Sequence, residues 1–132
     1  MSNVQHNVTT TWWMLKATYG GLFIIAGADK FLNLVANWAD FISPTVTSMV
    51  PIEPSMLIQL VGLWEIALGI MILTCCTKLG AHLAALWLLV ITVNLVTMGF
   101  PFDRAVRDLI MAIGALALAQ LTCIKDEMAS GN

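Results

Sequence analysis

Apolar residues fall into four long blocks along the chain, each close to the ~20 residues that a helix needs to cross about 30 Å of hydrocarbon. The blocks run from about Trp13 to Val35, Met56 to Cys75, Leu79 to Met98 and Ala105 to Ile124. "CCTKLG" separates the second from the third, and "GFPFD" the third from the fourth. Turns this short make consecutive helices antiparallel neighbours. The expectation is an all-α integral membrane protein, a single-domain antiparallel four-helix bundle. The stretch from Ala36 to Ser55 is different: it mixes Trp38, Phe41, Ile42, Met49 and Val50 with Asp40, Glu53 and three prolines. It reads as an interfacial segment between the first two spans, with Trp38 at headgroup depth. Trp12 and Trp13 read as aromatic anchors where the first span begins.

Composition agrees with that reading. Of 132 residues, 59% are hydrophobic and 11% charged, where a soluble domain carries roughly a quarter charged residues. The net charge of −2 comes without any basic run, which leaves no electrostatic footprint for nucleic acid. The opening "MSNVQHNVTTTWW" has no basic n-region and no small-residue cleavage site, so the first span is expected to remain in the mature protein. Cys75, Cys76 and Cys123 form no C-x-x-C pair and are expected to be free thiols. A metal site built from them and His82 is a minor alternative, because adjacent cysteines diverge on a helix and the spacing is not finger-like. No metal or haem is expected.

Four spans place both termini on one side of the membrane. Lys16, Lys78 and Lys125 share that side, and Lys30, Arg104 and Arg107 lie on the other. If Lys30 and Arg107 are discounted as buried, paired groups, the positive-inside bias puts the termini in the cytoplasm. The cysteines then lie near the reducing compartment.

The charges within the spans carry the candidate chemistry. Lys16, Lys78 and Lys125 sit at span ends, where snorkelling explains them. Glu65 sits ten residues from both Ser55 and Cys75, about 15 Å from either helix end. At that depth its carboxyl must be protonated or paired inside the bundle. In "GLWEIALG", Gly62, Glu65 and Gly69 share a helical face, and Gly20 and Gly27 repeat the pattern before Lys30. Such glycines are explained by helix packing alone, whereas Glu65 is not. Lys30 near the end of the first span and Arg107 at the start of the fourth are its candidate partners. Asp29 and Asp108 would balance the cluster, Arg104 and Asp108 could pair four residues apart, and Asn94 could add a hydrogen bond. The alternative is that Asp29, Lys30, Arg104 and Arg107 are solvated at the interface, with Glu65 a lone neutral acid.

At these residues the chain resembles the DoxX family of small bacterial four-helix membrane proteins, which includes DoxD-like quinone-linked oxidoreductase subunits. The likeness rests on "GADKF" (Gly27, Lys30, Phe31), "GLWEIALG" around Glu65, and "RDLIM" (Arg107, Asp108). It implies a bacterial inner-membrane protein acting beside quinone-linked electron transfer. Carried over position by position, Lys30, Glu65, Arg107 and Asp108 form the functional polar set, with Asn94 beside it. Lys30, Glu65 and Arg107 are the candidate catalytic residues and a quinone is the candidate cofactor. Expected partners are membrane lipid and either other membrane subunits or a second copy. With no C-x-x-C pair and no evident haem ligand, the chain is not expected to transfer electrons alone. Two other readings stay open: a structural subunit whose polar cluster only fixes helix register, and a transporter, which is weakened by the lack of an inverted repeat.

Overall fold

The computed structural model describes residues 2–74, 76–99 and 102–131. Among the described residues all regular structure is helical: α1 spans Asn3–Leu32, α2 Pro44–Met49, α3 Pro54–Leu73, α4 Thr77–Thr97 and α5 Phe102–Ser130, with one 3-10 turn at Trp38–Phe41. Among the described residues three helices, α3, α4 and α5, are long and apolar enough to cross a membrane. α1 is not among them, because Lys16, Asp29 and Lys30 interrupt its apolar stretch and its first turns are polar.

Helix α1 starts well before the apolar block because its polar end carries a capping box. The Gln5 amide donates to Ser2 Oγ at 3.2 Å, and the Ser2 amide donates to Gln5 Oε1 at 3.0 Å. Two otherwise unpartnered donors are satisfied reciprocally. The helix ends at Asn33, which adopts φ 52 and donates its amide to the Asp29 carbonyl; asparagine tolerates this left-handed conformation. The segment expected to lie along the surface becomes the 3-10 turn and α2. Ser43 starts α2 by accepting the Val46 amide at 3.3 Å, with Pro44 in the first turn.

The broadest helix contacts are α1 with α3 and α4 with α5; lighter contacts join α3 to α4 and α1 to α5. Glycines make the first possible. A Cβ on Gly27 would lie 2.5 Å from the Gly62 carbonyl oxygen, and one on Gly69 would lie 2.7 Å from that of Gly20. The two backbones therefore touch at 27 against 62 and 20 against 69, an antiparallel register that only residues without a side chain permit. The α4–α5 pairing uses alanine instead: Ala81, Ala84 and Ala85 of α4 are buried in one core with Ala112, Ala115 and Ala119 of α5. Leu68, Ile72 and Leu118 are the largest fully buried side chains.

Two residues read as membrane anchors take other roles. Trp12 is only 8% exposed, and its indole donates to Thr122 Oγ1 at 2.9 Å, tying α1 to α5. A buried indole N–H requires an acceptor, and that need outweighs a place at the headgroups. Lys16 does not snorkel: it is 6% exposed, donates to the Thr74 carbonyl at 3.4 Å and lies over the rings of Trp12 and Trp13. Trp13, by contrast, is exposed. Outward-facing Leu60, Leu63, Leu86, Val93, Ile110 and Ile113 are exposed as well. Apolar faces of this extent are the mark of lipid contact.

Candidate functional site

The close approach of Gly27 to Gly62 sets the site, because Lys30 lies one turn beyond Gly27 and Glu65 one turn beyond Gly62. Lys30 Nζ stands 2.5 Å from Glu65 Oε2, with the two side chains 7% and 3% exposed. The other carboxylate oxygen, Oε1, accepts the Trp87 indole N–H at 3.0 Å. Lys30 also lies over the Trp38 ring, 4.1 Å from its centroid. The buried pair is thus closed on one side by an aromatic face and on the other by an indole donor from α4.

Asp29 explains itself locally. Its Oδ1 accepts the amides of Leu34 and Val35 at 3.0 and 3.2 Å, and Oδ2 accepts the Trp38 indole at 2.6 Å. The first of the two adjacent charges builds the turn after α1 and places Trp38, and the second enters the buried pair. Trp38, expected at headgroup depth, has a structural role as well: its indole N–H is held by Asp29 and its ring covers Lys30.

Asn94 is likewise a bridge. Its Nδ2 donates to the Phe41 carbonyl at 2.7 Å and its Oδ1 accepts the Ser43 amide at 3.2 Å. The side chain pins the 38–43 stretch onto α4. Replacing Asn94 with Leu removes both bonds while keeping the volume, so residues 38–49 should detach first. Amide exchange there is expected to quicken at least tenfold over wild type, while exchange in α3 stays unchanged. Equal protection of the segment in both proteins would contradict this role.

The two arginines fall outside the buried pair. Arg107 is 68% exposed, and its ion pair is with Asp103 at 4.0 Å. The expected Arg104–Asp108 pair does not form among the described residues; Arg104 instead lies over the Phe41 ring at 4.7 Å. Both spacings put opposite charges one turn apart, and the exposed position of the start of α5 leaves neither compelled to pair. Solvated arginines and a buried Lys30–Glu65 pair thus coexist.

A cavity of about 370 Å³ gathers these groups. Its walls are mostly aliphatic and aromatic, drawn from α3, α4, Trp38, Phe41 and Val46, and Lys30, Glu65, Asn94, Arg104, Arg107 and Asp108 supply its polar edge. The volume lies within the roughly 300–1,000 Å³ common for small-molecule sites. Sequence reasoning missed Trp87 and the aliphatic lining of α3 and α4, and read Phe41 only as part of the interfacial segment. Trp87 did carry a signal: an indole deep inside a span, away from the interface belts, needs a buried acceptor.

Among the described residues no cluster of three or more His, Cys, Asp or Glu is placed to hold a metal ion. Cys75, one of the thiols weighed for such a site, lies outside them. No buried side-chain nitrogen or oxygen lacks a hydrogen-bond partner among the described residues.

No curated protein and no solved structure matches the chain significantly. The family model DoxX matches residues 12–98, about two thirds of the chain. The match takes in Lys30, Glu65, Trp87 and Asn94 and stops before α5, so Arg107 and Asp108 fall beyond it. With the paired lysine and glutamate inside the matched region, and three helices long and apolar enough to span a bilayer, the chain belongs to the DoxX family of membrane proteins.

Proposed function

We propose that this protein is a bundle of four antiparallel spans, α1, α3, α4 and α5, that binds a quinone-like lipophilic carbonyl compound beside a quinone-linked oxidoreductase. The observation that carries this reading is the mostly apolar cavity with the Lys30–Glu65 pair on its wall. A quinone ring needs apolar walls, a donor for its carbonyl oxygen and a proton source near by, and the lining fits those needs. Bound there, a quinone would supply two-electron redox chemistry, with the electrons delivered by a partner subunit. Lys30 Nζ is the donor for a carbonyl oxygen, and Glu65 Oε2 is the atom that would pass on, one after the other, the two protons that a two-electron reduction takes up. Trp87 keeps Glu65 oriented, and Trp38 excludes water from above Lys30.

The proposed setting is the bacterial cytoplasmic membrane with both termini in the cytoplasm. Lys30 is buried and paired, whereas Arg107 is exposed, so Arg107 cannot be discounted. Lys16 is buried as Lys30 is, which leaves Lys78 and Lys125 against Arg104 and Arg107 and no positive-inside bias, so the proposed orientation rests on placing the cysteines near the reducing compartment.

The test is purification from native membranes in mild detergent, with extraction and quantification of bound quinone. Wild type is expected to retain quinone, and Glu65→Gln at least tenfold less, with slowed quinol-linked oxygen uptake in the Glu65→Gln strain. No quinone in wild type, together with unchanged uptake in the variant, would rule the reading out. One observation favours a second reading, a non-catalytic accessory subunit: Lys30 and Trp87 already satisfy the Glu65 carboxylate and Trp38 donates to that of Asp29, as a device that fixes helix register requires. A stoichiometric protein partner in the same preparation, without quinone, would select it.

A further inference from the structure

We propose that the end of the molecule carrying the termini holds a second binding site, for a phosphate-type oxyanion. A cavity of about 440 Å³ opens there, separate in its lining from the one described above. Lys16, Lys78 and Lys125 line it, against one carboxylate, Asp126. Trp12 brings two of these lysines together, since the ammonium groups of Lys16 and Lys125 each lie 4.3 Å from its ring centroid. The two cations therefore stand within twice that distance of each other. Neither has a carboxylate within ion-pair distance among the described residues; Lys16 has only the Thr74 carbonyl, at 3.4 Å.

Like charges held this close are compatible with folding when something negative lies between them, and an indole face supplies only part of that. The first turn of α4, Thr77–Leu79, also lines the cavity. A helix start adds partial positive charge and amide donors to the lysines. The hydroxyls around the rim are already engaged as donors: Thr77 to the Ile72 carbonyl, Thr122 to that of Leu118 and Thr74 to that of Ile70. Beside the single carboxylate of Asp126, what remains to be offered is three ammonium groups and the N–H donors of the helix start, a complement for an oxyanion.

Lysine ammoniums act as point charges toward phosphate. The site lies where α3 ends and α4 begins, and both are apolar enough to cross the bilayer, so it sits at the level where a span meets the headgroups. A lipid headgroup phosphate and a free phosphate share the required chemistry.

Two probes separate these sources. Full-length delipidated protein in a neutral detergent is titrated calorimetrically with inorganic phosphate at fixed ionic strength, and examined by native mass spectrometry after incubation with phosphatidylglycerol or with phosphate-free diacylglycerol. Saturable binding of inorganic phosphate assigns a water-borne anion. Retention of phosphatidylglycerol over diacylglycerol without a phosphate response assigns the headgroup. In either case Lys125→Gln is expected to weaken binding about tenfold, and Lys16→Met more. Because Lys16 is buried and its variant can fail to fold, the half-exposed Lys125 carries the decision, checked by an unchanged melting curve. Saturation by neither probe, or undiminished binding in a folded Lys125→Gln/Lys78→Gln double variant, overturns the assignment.

Discussion

Replacing Lys30 with Met is expected to destabilise the folded protein by about 3–5 kcal/mol, the usual consequence of leaving one partner of a buried ion pair alone. Glu65 would keep the Trp87 indole on Oε1 but lose the cation 2.5 Å from Oε2. Such a carboxylate, near the middle of a helix apolar enough to cross the bilayer, loses its ion-pair partner, and the ion pair of Arg107 is with Asp103 instead. Adding Glu65→Leu to the same chain should recover most of the lost stability, since an apolar pair of similar volume often matches a buried ion pair. Reversible unfolding in detergent, followed by circular dichroism for wild type, both single variants and the double variant, gives the coupling directly. Stability effects that simply add would show that the two side chains do not depend on each other. The double variant also divides the functional readings: restored stability with quinone retention lost assigns the pair to ligand binding, while restored stability with retention intact leaves it only the register role.

The second large effect should come from a single methyl group. Gly27→Ala would bring a Cβ to 2.5 Å from the Gly62 carbonyl oxygen and 2.7 Å from Ile66 Cγ1. A backbone carbonyl in a helix cannot rotate away, so α1 and α3 must separate along their contact. A loss of about 3 kcal/mol is expected, at the upper end for overpacking. Lys30 rides on the same turn, so the separation also draws its ammonium from Glu65. Gly21 is the control, since nothing lies within 4 Å of a Cβ there. Gly21→Ala should stabilise the protein slightly, by up to about 1 kcal/mol, from helix propensity alone. Melting curves of the two variants shifted in the same direction would refute the close backbone contact.

The sequence carried the helices at the level of apolar blocks. The expected second and third spans start two residues after the observed α3 and α4. The errors at the outer ends have a common cause: hydropathy registers where apolar residues stop, not where a helix stops. The polar start of α1 is helical because of Ser2 and Gln5, and the charged residues after Ile124 continue α5. The pairing of Lys30 with Glu65 was legible because a charge inside a span needs a partner, and helix depth narrowed the choice to Lys30 or Arg107. The partners that come from chain-distant places were not legible. No spacing shows that Trp87 reaches Glu65, that Trp12 reaches Thr122, or that Asn94 holds Phe41 and Ser43. Nor can an i,i+4 rule choose between Asp103–Arg107 and Arg104–Asp108, which satisfy it equally.

Two broad helix contacts and two light ones divide the molecule mechanically into a glycine-joined leaf, α1 with α3, and an alanine-joined leaf, α4 with α5. The cavity beside Lys30 takes its walls from both leaves, so it lies on the seam between them. That seam is stitched by hydrogen bonds, Trp87 to Glu65 at 3.0 Å, Trp12 to Thr122 at 2.9 Å and Tyr19 to the Met111 carbonyl at 2.8 Å, so the two leaves can part only where those three bonds break.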